Sequence, residues 1–381
     1  MKITAIESLY STHKENALSH RYINNNSIKP LLDKLPSAAQ VTVIGRSVLK
    51  APIYGIKLGV GAKKVLMWSQ MHGNESTTTK AVFDVLNTLL DSKTDVNSIL
   101  KHCTLYIIPI LSPDGALAYT RINANKVDLN RDAQALTQPE SKVLRAVYNS
   151  FKPDFCFNLH GQRTIFSAGE TNNIATVSFL SPAQDQDCTV TRNRQKSMEV
   201  IAAMNKVLQQ TIPNQVGVYD DAFNINCVGD TFQSENTPTI LFEAGHFKND
   251  YAREETRRYI YASLLSGLEY IANNNVSGDF YEPYFDIPEN GKCFLDIIIR
   301  NAKVKGLKTD IGILFVEKLI NNKVDFVPKI VRIENLNSFY GHREINANNN
   351  NVLTKAGEAL TLELETDVIV IKSDEIQLKL K

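Results

Sequence analysis

A histidine and a glutamate separated by two residues, His72 and Glu75, form the sequence HGNE directly after a short apolar run. An imidazole nitrogen and a carboxylate both bind Zn²⁺, and a tight turn directs two side chains at this spacing to the same side. A catalytic zinc ion needs a third protein ligand and one open coordination position. His160, which ends another apolar run, is a candidate for the third ligand, and a histidine bonded to a backbone carbonyl is the alternative. The three residues therefore predict a site for one Zn²⁺ ion.

A further carboxylate, that of Glu243, stands at the end of the apolar run PTILF. Burying this charge without a partner is costly, so the side chain is expected to face a polar site. A zinc ion lowers the pKa of a water molecule to about 7, and a glutamate beside such a water acts as a general base. Glu243 is therefore the candidate base.

Two arginines and an asparagine lie close together in RINANKVDLNR, residues 121–131, shortly after the turn sequence SPDG. They are Arg121, Asn130 and Arg131. Guanidinium groups bind carboxylates and oxyanions through two parallel hydrogen bonds. The segment therefore predicts a site for an anionic group of the substrate.

The candidate residues stand at the ends of predicted strands, where open α/β sheets form their sites. Short apolar runs predict buried strands at Lys64–Met71, Cys103–Leu111, Asp154–His160, Ala175–Leu180 and Pro238–Ala244. Apolar residues at helical spacing predict helices at Glu75–Leu90, Pro139–Phe151, Arg192–Ile212 and Tyr251–Ile271. The alternation indicates an α/β layered sandwich with helices on both faces.

Three regions are predicted along the chain. Residues 1–40 are polar and mixed, and they are expected to form short helices packed on a main domain of residues 41–278. The segment Asp279–Lys292 is rich in proline, glycine and acidic residues and reads as a linker. Residues 285–381 predict a small all-β domain. Its expected strands are Phe294–Arg300, Gly312–Val316, Asp325–Ile333, Ala359–Glu365 and Val368–Lys372.

The composition is that of an ordinary globular protein, with 43% hydrophobic and 22% charged residues. A formal net charge of +1 argues against nucleic acid or a membrane surface as a partner. The sequence contains no apolar stretch of about 20 residues and no apparent signal peptide. The five cysteines form no CxxC pair. These features predict free thiols and a cytoplasmic location.

The motifs together resemble the zinc carboxypeptidase superfamily. In that superfamily an HxxE pair, an SPDG or NPDG turn, an R…VDLNR segment, a strand-end histidine and a late strand-end glutamate occur in this order. All five are present between residues 64 and 245. The resemblance covers residues 40–275 and implies an α/β/α sandwich with a mixed sheet, leaving the C-terminal all-β domain unmatched.

The resemblance also implies a role for each residue. His72, Glu75 and His160 would bind the zinc ion. Asn130 and Arg131 would hold the terminal carboxylate of the substrate. The implied catalytic residues are Arg121, which would stabilise the oxyanion, and Glu243, which would activate water and deliver its proton to the leaving amine.

Some assignments stay open. Tyr219 lies near the place of the mobile tyrosine that covers the substrate carboxylate in many carboxypeptidases. Val228, Thr231 and Gln233 are alternative residues for the specificity pocket. The expected function is a metallocarboxypeptidase acting on peptides, including cell-wall peptides. The alternatives are an N-acyl amino acid deacylase resembling aspartoacylase and succinylglutamate desuccinylase, which the HGNE wording favours, and an inactive peptide-binding module.

Overall fold

The computed structural model describes residues 2–380, with the backbone alone for Asn97. This part of the chain divides into two compact units. Unit 1 comprises residues 2–162 and 175–290, and unit 2 comprises residues 163–174 and 291–380. None of the helices in the described residues has the length and hydropathy of a membrane span.

A mixed eight-stranded sheet forms the centre of unit 1, with the order β1-β2-β4-β3-β5-β9-β7-β8. Strands β3, β4, β5 and β9 run parallel to their neighbours within this group, whereas β1, β2 and β7 introduce antiparallel pairs. The strands up to residue 291 are β1 (Gln40–Arg46), β2 (Pro52–Leu58), β3 (Lys63–Ser69), β4 (Cys103–Ile108), β5 (Phe155–Gly161), β6 (Ser167–Ala168), β7 (Val177–Leu180), β8 (Val216–Val218), β9 (Thr239–Ala244) and β10 (Asn290–Gly291). The short strands β6 and β10 pair with each other, apart from this sheet.

Helices pack on both faces of the sheet and enclose two apolar clusters. The larger cluster contains α1, α3, α7 and α9 with one face of the strands, and the smaller contains α6 and α8 with the other. The helices are α1 (Ile3–His13), α2 (Asn25–Leu32), α3 (Thr77–Leu90), α4 (Ile99–His102), α5 (Pro113–Ala118), α6 (Pro139–Phe151), α7 (Arg192–Leu208), α8 (Val228–Ser234) and α9 (Glu254–Asn273). This arrangement confirms the predicted α/β sandwich with a mixed sheet.

The segment SPDG, predicted as a turn, begins a short helix instead. Pro113 occupies the first turn of α5, where its missing N–H costs no helical hydrogen bond. The segment Asp279–Lys292, predicted as a linker, is likewise more ordered than expected. It contains a 3₁₀ helix at Glu282–Asp286, and Tyr284 and Ile287 are buried in the larger apolar cluster. Burial of these two side chains attaches the segment to unit 1.

Unit 2 contains a four-stranded and a three-stranded sheet, with the orders β13-β12-β11-β14 and β15-β16-β17. A common apolar cluster contains residues from both sheets. The strands are β11 (Phe294–Val304), β12 (Leu307–Ile320), β13 (Lys323–Glu334), β14 (Tyr340–Asn346), β15 (Val352–Thr354), β16 (Val368–Ile371) and β17 (Asp374–Gln377). The expected strand Ala359–Glu365 forms only isolated bridges, so that prediction was wrong.

Residues 163–174 join unit 2 although they stand between two strands of unit 1. The backbone N–H of Phe294 donates to the carbonyl of Ile165 (3.1 Å), and Nε2 of His342 lies 2.9 Å from the carbonyl oxygen of Thr164. This segment falls within the main domain predicted from the sequence, because pairing between distant segments leaves no local signal. The division of the structure also falls at residue 290 instead of between residues 278 and 285.

Candidate active site

The candidate residues meet at one edge of the central sheet. Strands β3, β5 and β9 are adjacent and parallel, so their carboxyl ends lie together. His72 follows β3 closely, whereas His160 and Glu243 lie within β5 and β9 as direct neighbours in the register. This is the position at which open α/β sheets bind ligands.

A tight turn brings His72 and Glu75 to the same side. The backbone N–H of Glu75 donates to the carbonyl of His72 (3.1 Å). The chain passes so close to α5 here that a Cβ atom on Gly73 would lie 1.9 Å from the backbone carbonyl carbon of Gly115. Only glycine fits at this point. Glu75 stands just before α3, where the helix dipole favours a negative charge.

His72, Glu75 and His160 converge on one point. The Nδ1 atoms of the two imidazoles lie 3.1 Å apart. Oε1 of Glu75 lies 2.9 Å from Nδ1 of His72, and Oε2 lies 3.0 Å from Nδ1 of His160. The ligand atoms of the three side chains all lie within 4.8 Å of one another. Three electron-pair donors therefore face the same small volume.

The protonation of this cluster follows from its burial and its charges. Burial alone would lower the pKa of His72, but the charge of Glu75 and the hydrogen bonds to Asp128 and Glu75 outweigh it and raise the pKa to about 9. Burial would raise the pKa of Glu75, yet the two histidines hold it well below its usual range. Burial dominates at His160 and lowers its pKa.

Asp128 contacts the ring nitrogen of His72 that does not face the cluster. Its Oδ1 atom lies 3.0 Å from Nε2 of His72 and accepts the backbone N–H of Asn130 at 2.9 Å. Arg121 donates from Nε to Oδ2 of Asp128 (3.1 Å) and from Nη1 to Oε1 of Glu75 (3.4 Å). The guanidinium of Arg121 is thus anchored beside the cluster, while 49% of its side chain stays exposed. Asp128 was not singled out from the sequence.

Asn130 and Arg131 lie next to the N-terminus of α8. The Oδ1 atom of Asn130 accepts the backbone N–H of Val228 at 3.0 Å. Nη1 of Arg131 donates to the carbonyl of Asn130 (2.7 Å) and contacts Sγ of Cys227 at 3.1 Å. The Arg131 side chain is exposed. Asn130 is connected to His72 through Asp128, whereas the recorded contacts of Arg131 are with Asn130 and Cys227.

Glu243 presents a shielded carboxylate to the site. Its Oε2 atom is buried without a hydrogen-bonding partner among the described residues. Burial raises the pKa of Glu243 well above its usual range, and the charge of Glu75 adds to the effect. A raised pKa makes this carboxylate a stronger proton acceptor than an exposed one, which suits a general base.

Tyr219 lies within electrostatic reach of the same carboxylates. It follows β8, and its backbone N–H donates to the carbonyl of Phe179 at 3.0 Å. Burial raises the pKa of its hydroxyl well above the ordinary value, with contributions from the charges of Glu243 and Glu75. The side chain is half-buried. Its role as the residue that covers the substrate carboxylate stays a prediction.

The three alternative pocket residues differ in their surroundings. The side chain of Thr231 donates to the carbonyl of Ile225, and Oε1 of Gln233 accepts the backbone N–H of Thr239. Both side chains are fully buried and serve local structure. Val228 is bonded through its backbone to Asn130 and is the one of the three with a recorded contact to the candidate substrate-binding residues.

The donor set fits a catalytic zinc ion. Two imidazoles and one carboxylate, without a thiolate, are typical of catalytic rather than structural zinc sites. The second nitrogen of His72 is held by a carboxylate, which is also typical of zinc-binding histidines. His72, Glu75 and His160 are the one group of this kind found among the described residues.

Comparisons with known proteins are consistent with this chemistry. The model of the zinc carboxypeptidase family matches residues 25–262. Carboxypeptidase SOL1 of Arabidopsis thaliana is 26% identical over 167 residues, which are 38% of this chain and 34% of that protein. Gamma-D-glutamyl-L-diamino acid endopeptidase 1 of Lysinibacillus sphaericus is 35% identical over 98 residues, 24% of each chain. The matches span about a fifth to a third of the length of these relatives.

Solved structures share the fold at low identity. A metallo-carboxypeptidase from Burkholderia cenocepacia aligns with a TM-score of 0.50 and 19% identity, covering 64% of this chain and 68% of that one. Carboxypeptidase A from Helicoverpa armigera aligns with a TM-score of 0.50 and 14% identity, covering 71% and 80%. At these identities the likeness establishes the fold alone.

Proposed function

The chain belongs to the zinc carboxypeptidase family, and on that basis we propose that it is a zinc-dependent peptidase that hydrolyses the amide bond beside a free carboxylate. The observation that carries the proposal is the convergence of His72, Glu75 and His160 next to the shielded carboxylate of Glu243. A degenerate member would be expected to lack one of these groups, and all four are present.

His72, Glu75 and His160 would hold the zinc ion. When bound, the ion supplies a Lewis acid for the scissile carbonyl and lowers the pKa of the attacking water. Asp128 keeps the imidazole of His72 in one orientation through the contact at Nε2, leaving Nδ1 directed at the site.

Glu243 would carry the proton during the reaction. Its carboxylate takes a proton from the attacking water and then gives it to the leaving amine nitrogen. The raised pKa suits the first step, because it makes the carboxylate a stronger proton acceptor than an exposed glutamate. The shielding of Oε2 from solvent keeps that proton at the reacting centre.

Arg121 would stabilise the oxyanion that develops on the scissile carbonyl. Its guanidinium is fixed by Asp128 and Glu75, so its orientation costs little at the moment of reaction. A preorganised donor of this kind typically accounts for about 10²–10³ in kcat.

Asn130, Arg131 and Tyr219 would hold the free carboxylate of the substrate. Asn130 and Arg131 lie together at the N-terminus of α8, and the exposed guanidinium of Arg131 is available to a carboxylate from solution. Tyr219 lies near Glu243 from another element, so it can cover the bound end of the substrate. Fixing that end sets which bond reaches the attacking water.

The substrate class we propose is a peptide with a free C-terminal carboxylate, including cell-wall peptides. One of the relatives is by name an endopeptidase for gamma-D-glutamyl-L-diamino acid bonds, and others are by name carboxypeptidases. We include a cytoplasmic site of action in the proposal, and the free thiols of the five cysteines support it. An N-acyl amino acid is the alternative substrate, because it also offers an amide bond beside a free carboxylate.

The test is a mass-spectrometric screen of the zinc-loaded protein against short peptides and N-acyl amino acids. Glu243→Gln is the blank, and Glu235→Gln, at a glutamate paired with Arg145 outside the site, is the matched control. We expect release of single C-terminal residues by the wild type and by Glu235→Gln. Glu243→Gln is expected to keep its zinc and lose turnover.

Three other outcomes would change the conclusion. Cleavage confined to acyl amino acids would make the protein a deacylase. Peptide binding without cleavage would make it a binding module. A near-wild-type rate for Glu243→Gln would remove Glu243 from the mechanism.

A further inference from the structure

Two surface cavities of unit 2 join into one elongated groove. The first has a volume of about 530 Å³ and the second of about 640 Å³. Ile333 and Leu362 line both cavities, so the two are continuous, and every residue that lines them belongs to unit 2. We call this feature the basic groove. Volumes of roughly 300–1,000 Å³ are typical of ligand-binding pockets, and the proposed peptidase mechanism uses no residue of this unit.

The base of the basic groove is apolar. Leu295, Leu314, Val331 and Phe339 line the first cavity and belong to a small apolar cluster, which is separate from the cluster shared by the two sheets of unit 2. Leu314, Val331 and Phe339 are only half-buried. Leu362, which lines both cavities, is 57% exposed. Apolar side chains gathered in an open groove are typical of a binding surface.

Basic side chains line both parts of the groove. Glu334 is the one acidic residue among the described lining residues, and its Oε1 atom accepts a hydrogen bond from Nη1 of Arg332 at 2.6 Å. Apart from Arg332, the basic residues form no ion pair with any residue that the structure describes. The formal net charge of the whole chain is +1, so this excess of positive charge is local. The basic residues are Arg163, Lys292 and Arg332 in the first cavity and Lys305 and Lys308 in the second.

The distribution of charge and apolar surface indicates what the groove binds. The guanidinium carbon of Arg332 lies 4.7 Å from the centre of the Phe339 ring, so a cation is fixed beside the apolar base. A fatty-acid anion carries one charge at one end and would leave the cations of one cavity unpaired. A flat membrane surface would not reach the base of the groove. An extended peptide carries its side chains alternately on two sides, so it can place apolar residues on the base and carboxylates at the basic residues.

We propose that the basic groove is an interaction surface for an extended segment of a partner protein in which acidic and apolar residues alternate. Carboxylates of the segment pair with the basic residues of both cavities, and its apolar side chains cover Leu314, Val331 and Leu362. Complementary charge of this kind gives specificity and speeds association. The segment needs no free C-terminal carboxylate, so this binding is a function separate from peptide hydrolysis.

The probe is a fluorescein-labelled peptide of about eight residues that alternates glutamate with leucine and is blocked at both ends. Fluorescence anisotropy with the full chain measures its affinity. We expect saturable binding that weakens as the salt concentration rises, because salt screens exposed charges. A peptide of alternating lysine and leucine tests the charge, and one of alternating glutamate and serine tests the apolar base. Both are expected to bind at least about tenfold more weakly.

Variants at exposed positions locate the binding in the groove. Lys292→Glu combined with Lys308→Glu reverses one charge in each cavity and is expected to weaken binding on the order of tenfold. Lys323→Glu combined with Lys372→Glu is the matched control, because it changes the net charge equally at exposed lysines of unit 2 outside the groove. Leu362→Ser removes an exposed apolar side chain and is also expected to weaken binding. Thermal unfolding of each variant establishes that it is folded.

Three results would overturn the inference. The first is no binding of the glutamate–leucine peptide, or equal binding of the lysine–leucine peptide. The second is an affinity that both double variants leave unchanged or reduce equally. The third is binding of dodecanoate, or of vesicles containing phosphatidylglycerol, without binding of the peptide, because the groove would then be a lipid site.

The probe lacks a free carboxylate at its end, so its binding is measured independently of the proposed hydrolysis. Glu243→Gln is expected to bind the probe with the affinity of the wild type, since the residues that line the groove are unchanged. The charge-reversed double variant is expected to keep the peptidase rate on short peptides. Failure of either proposal therefore leaves the other standing.

Discussion

At the scale of single residues, Asp128 has the most connections around the candidate site. It contacts Nε2 of His72, accepts the backbone N–H of Asn130 and receives the guanidinium of Arg121. Burial alone would raise its pKa, but these partners hold the pKa well below its usual range, so the group is ionised at neutral pH. One carboxylate thereby contacts the residues that we propose bind the metal, the oxyanion and the substrate carboxylate.

Replacing Asp128 with asparagine should weaken zinc binding. The variant loses the charge that keeps His72 oriented, and a loss of about 10–100-fold in zinc affinity is typical for such a partner. Competition with a chelator of known affinity measures the effect. Asp230→Asn is the control, because Asp230 is a buried carboxylate that has no recorded contact with His72. Equal zinc affinity in wild type and Asp128→Asn would show that the contact is incidental.

Arg121 and Arg131 should affect different kinetic constants. Arg121→Met removes the oxyanion donor and is expected to lower kcat by about 10²–10³ with a small change in KM. Arg131→Met removes a carboxylate-binding group and is expected mainly to raise KM. Steady-state kinetics on one peptide distinguishes the two. The same pattern of change in both variants would contradict the separate roles.

The sequence predicted the candidate site residues that belong to recognisable motifs. The structure brings most of them together. Asp128 was missed. It lies within VDLNR, but its partner His72 is distant in sequence and nothing local marks the contact.

At the scale of elements, a buried ion pair joins α3 to α9. Arg257 donates to both oxygens of Asp84 at 2.6 and 2.7 Å, and both side chains are fully buried. Arg257 also donates to the carbonyls of Leu18 and Glu15, which fixes the chain after α1. These contacts attach the N-terminal segment to the main core.

Removing one member of this pair should be strongly destabilising. Asp84→Ala leaves the charge of Arg257 buried without its partner, which typically costs about 3–5 kcal/mol. Urea unfolding measures the change. The exposed pair of Arg192 and Asp279 is the control, and Arg192→Ala is expected to have a much smaller effect on the free energy of unfolding. A small effect of Asp84→Ala would mean that water reaches the pair.

Glu254 should contribute to acid sensitivity. Burial alone would raise its pKa, but Lys80, Lys14 and Arg257 lower it to about 2 from the ordinary 4.5. Because the pKa is lower in the folded state, the stabilisation is complete above pH 4.5 and is lost as the pH falls towards 2. The wild type should lose on the order of 2 kcal/mol more than Glu254→Gln between pH 6 and pH 3. Parallel urea titrations of the two proteins at both pH values measure this difference. Equal losses in the free energy of unfolding would contradict the prediction.

The strands and helices of unit 1 that were predicted from the sequence are continuous runs with a regular hydrophobic pattern. The helix Pro139–Phe151 was predicted with both ends correct, since a proline begins it and its apolar face is regular. The wrong strand at Ala359–Glu365 shows the limit of the same reasoning. Its residues alternate as in a strand, yet they are bonded at a few points to β13 and form no continuous ladder.

At the scale of the whole molecule, the chain enters unit 2 twice. Residues 163–174 obtain their partners from residues beyond 290, as the contacts of Ile165 with Phe294 and of Thr164 with His342 show. The sequence indicated a separate β region but not this insertion, because the pairing is long-range.

Truncation after residue 290 should therefore disorder a segment that is distant from the cut in the sequence. Residues 163–174 would lose their backbone partners and open locally, which is the condition for proteolysis. We expect trypsin to cleave after Arg163 much faster in the truncated protein than in the full chain, with mass spectrometry locating the site. Cleavage after Arg131 in unit 1 should stay unchanged, which controls for general unfolding. Equal rates after Arg163 would show that the segment is ordered without unit 2.

The double entry into unit 2 also restricts how this protein can change through gene rearrangement. A domain attached by one junction can be gained, lost or exchanged by a single recombination event. Unit 2 has three chain crossings to unit 1, after residues 162, 174 and 290. Its inserted piece begins only three positions after His160, so an exchange would have to alter the gene beside the codon of a candidate metal ligand. The two units are therefore expected to be inherited together.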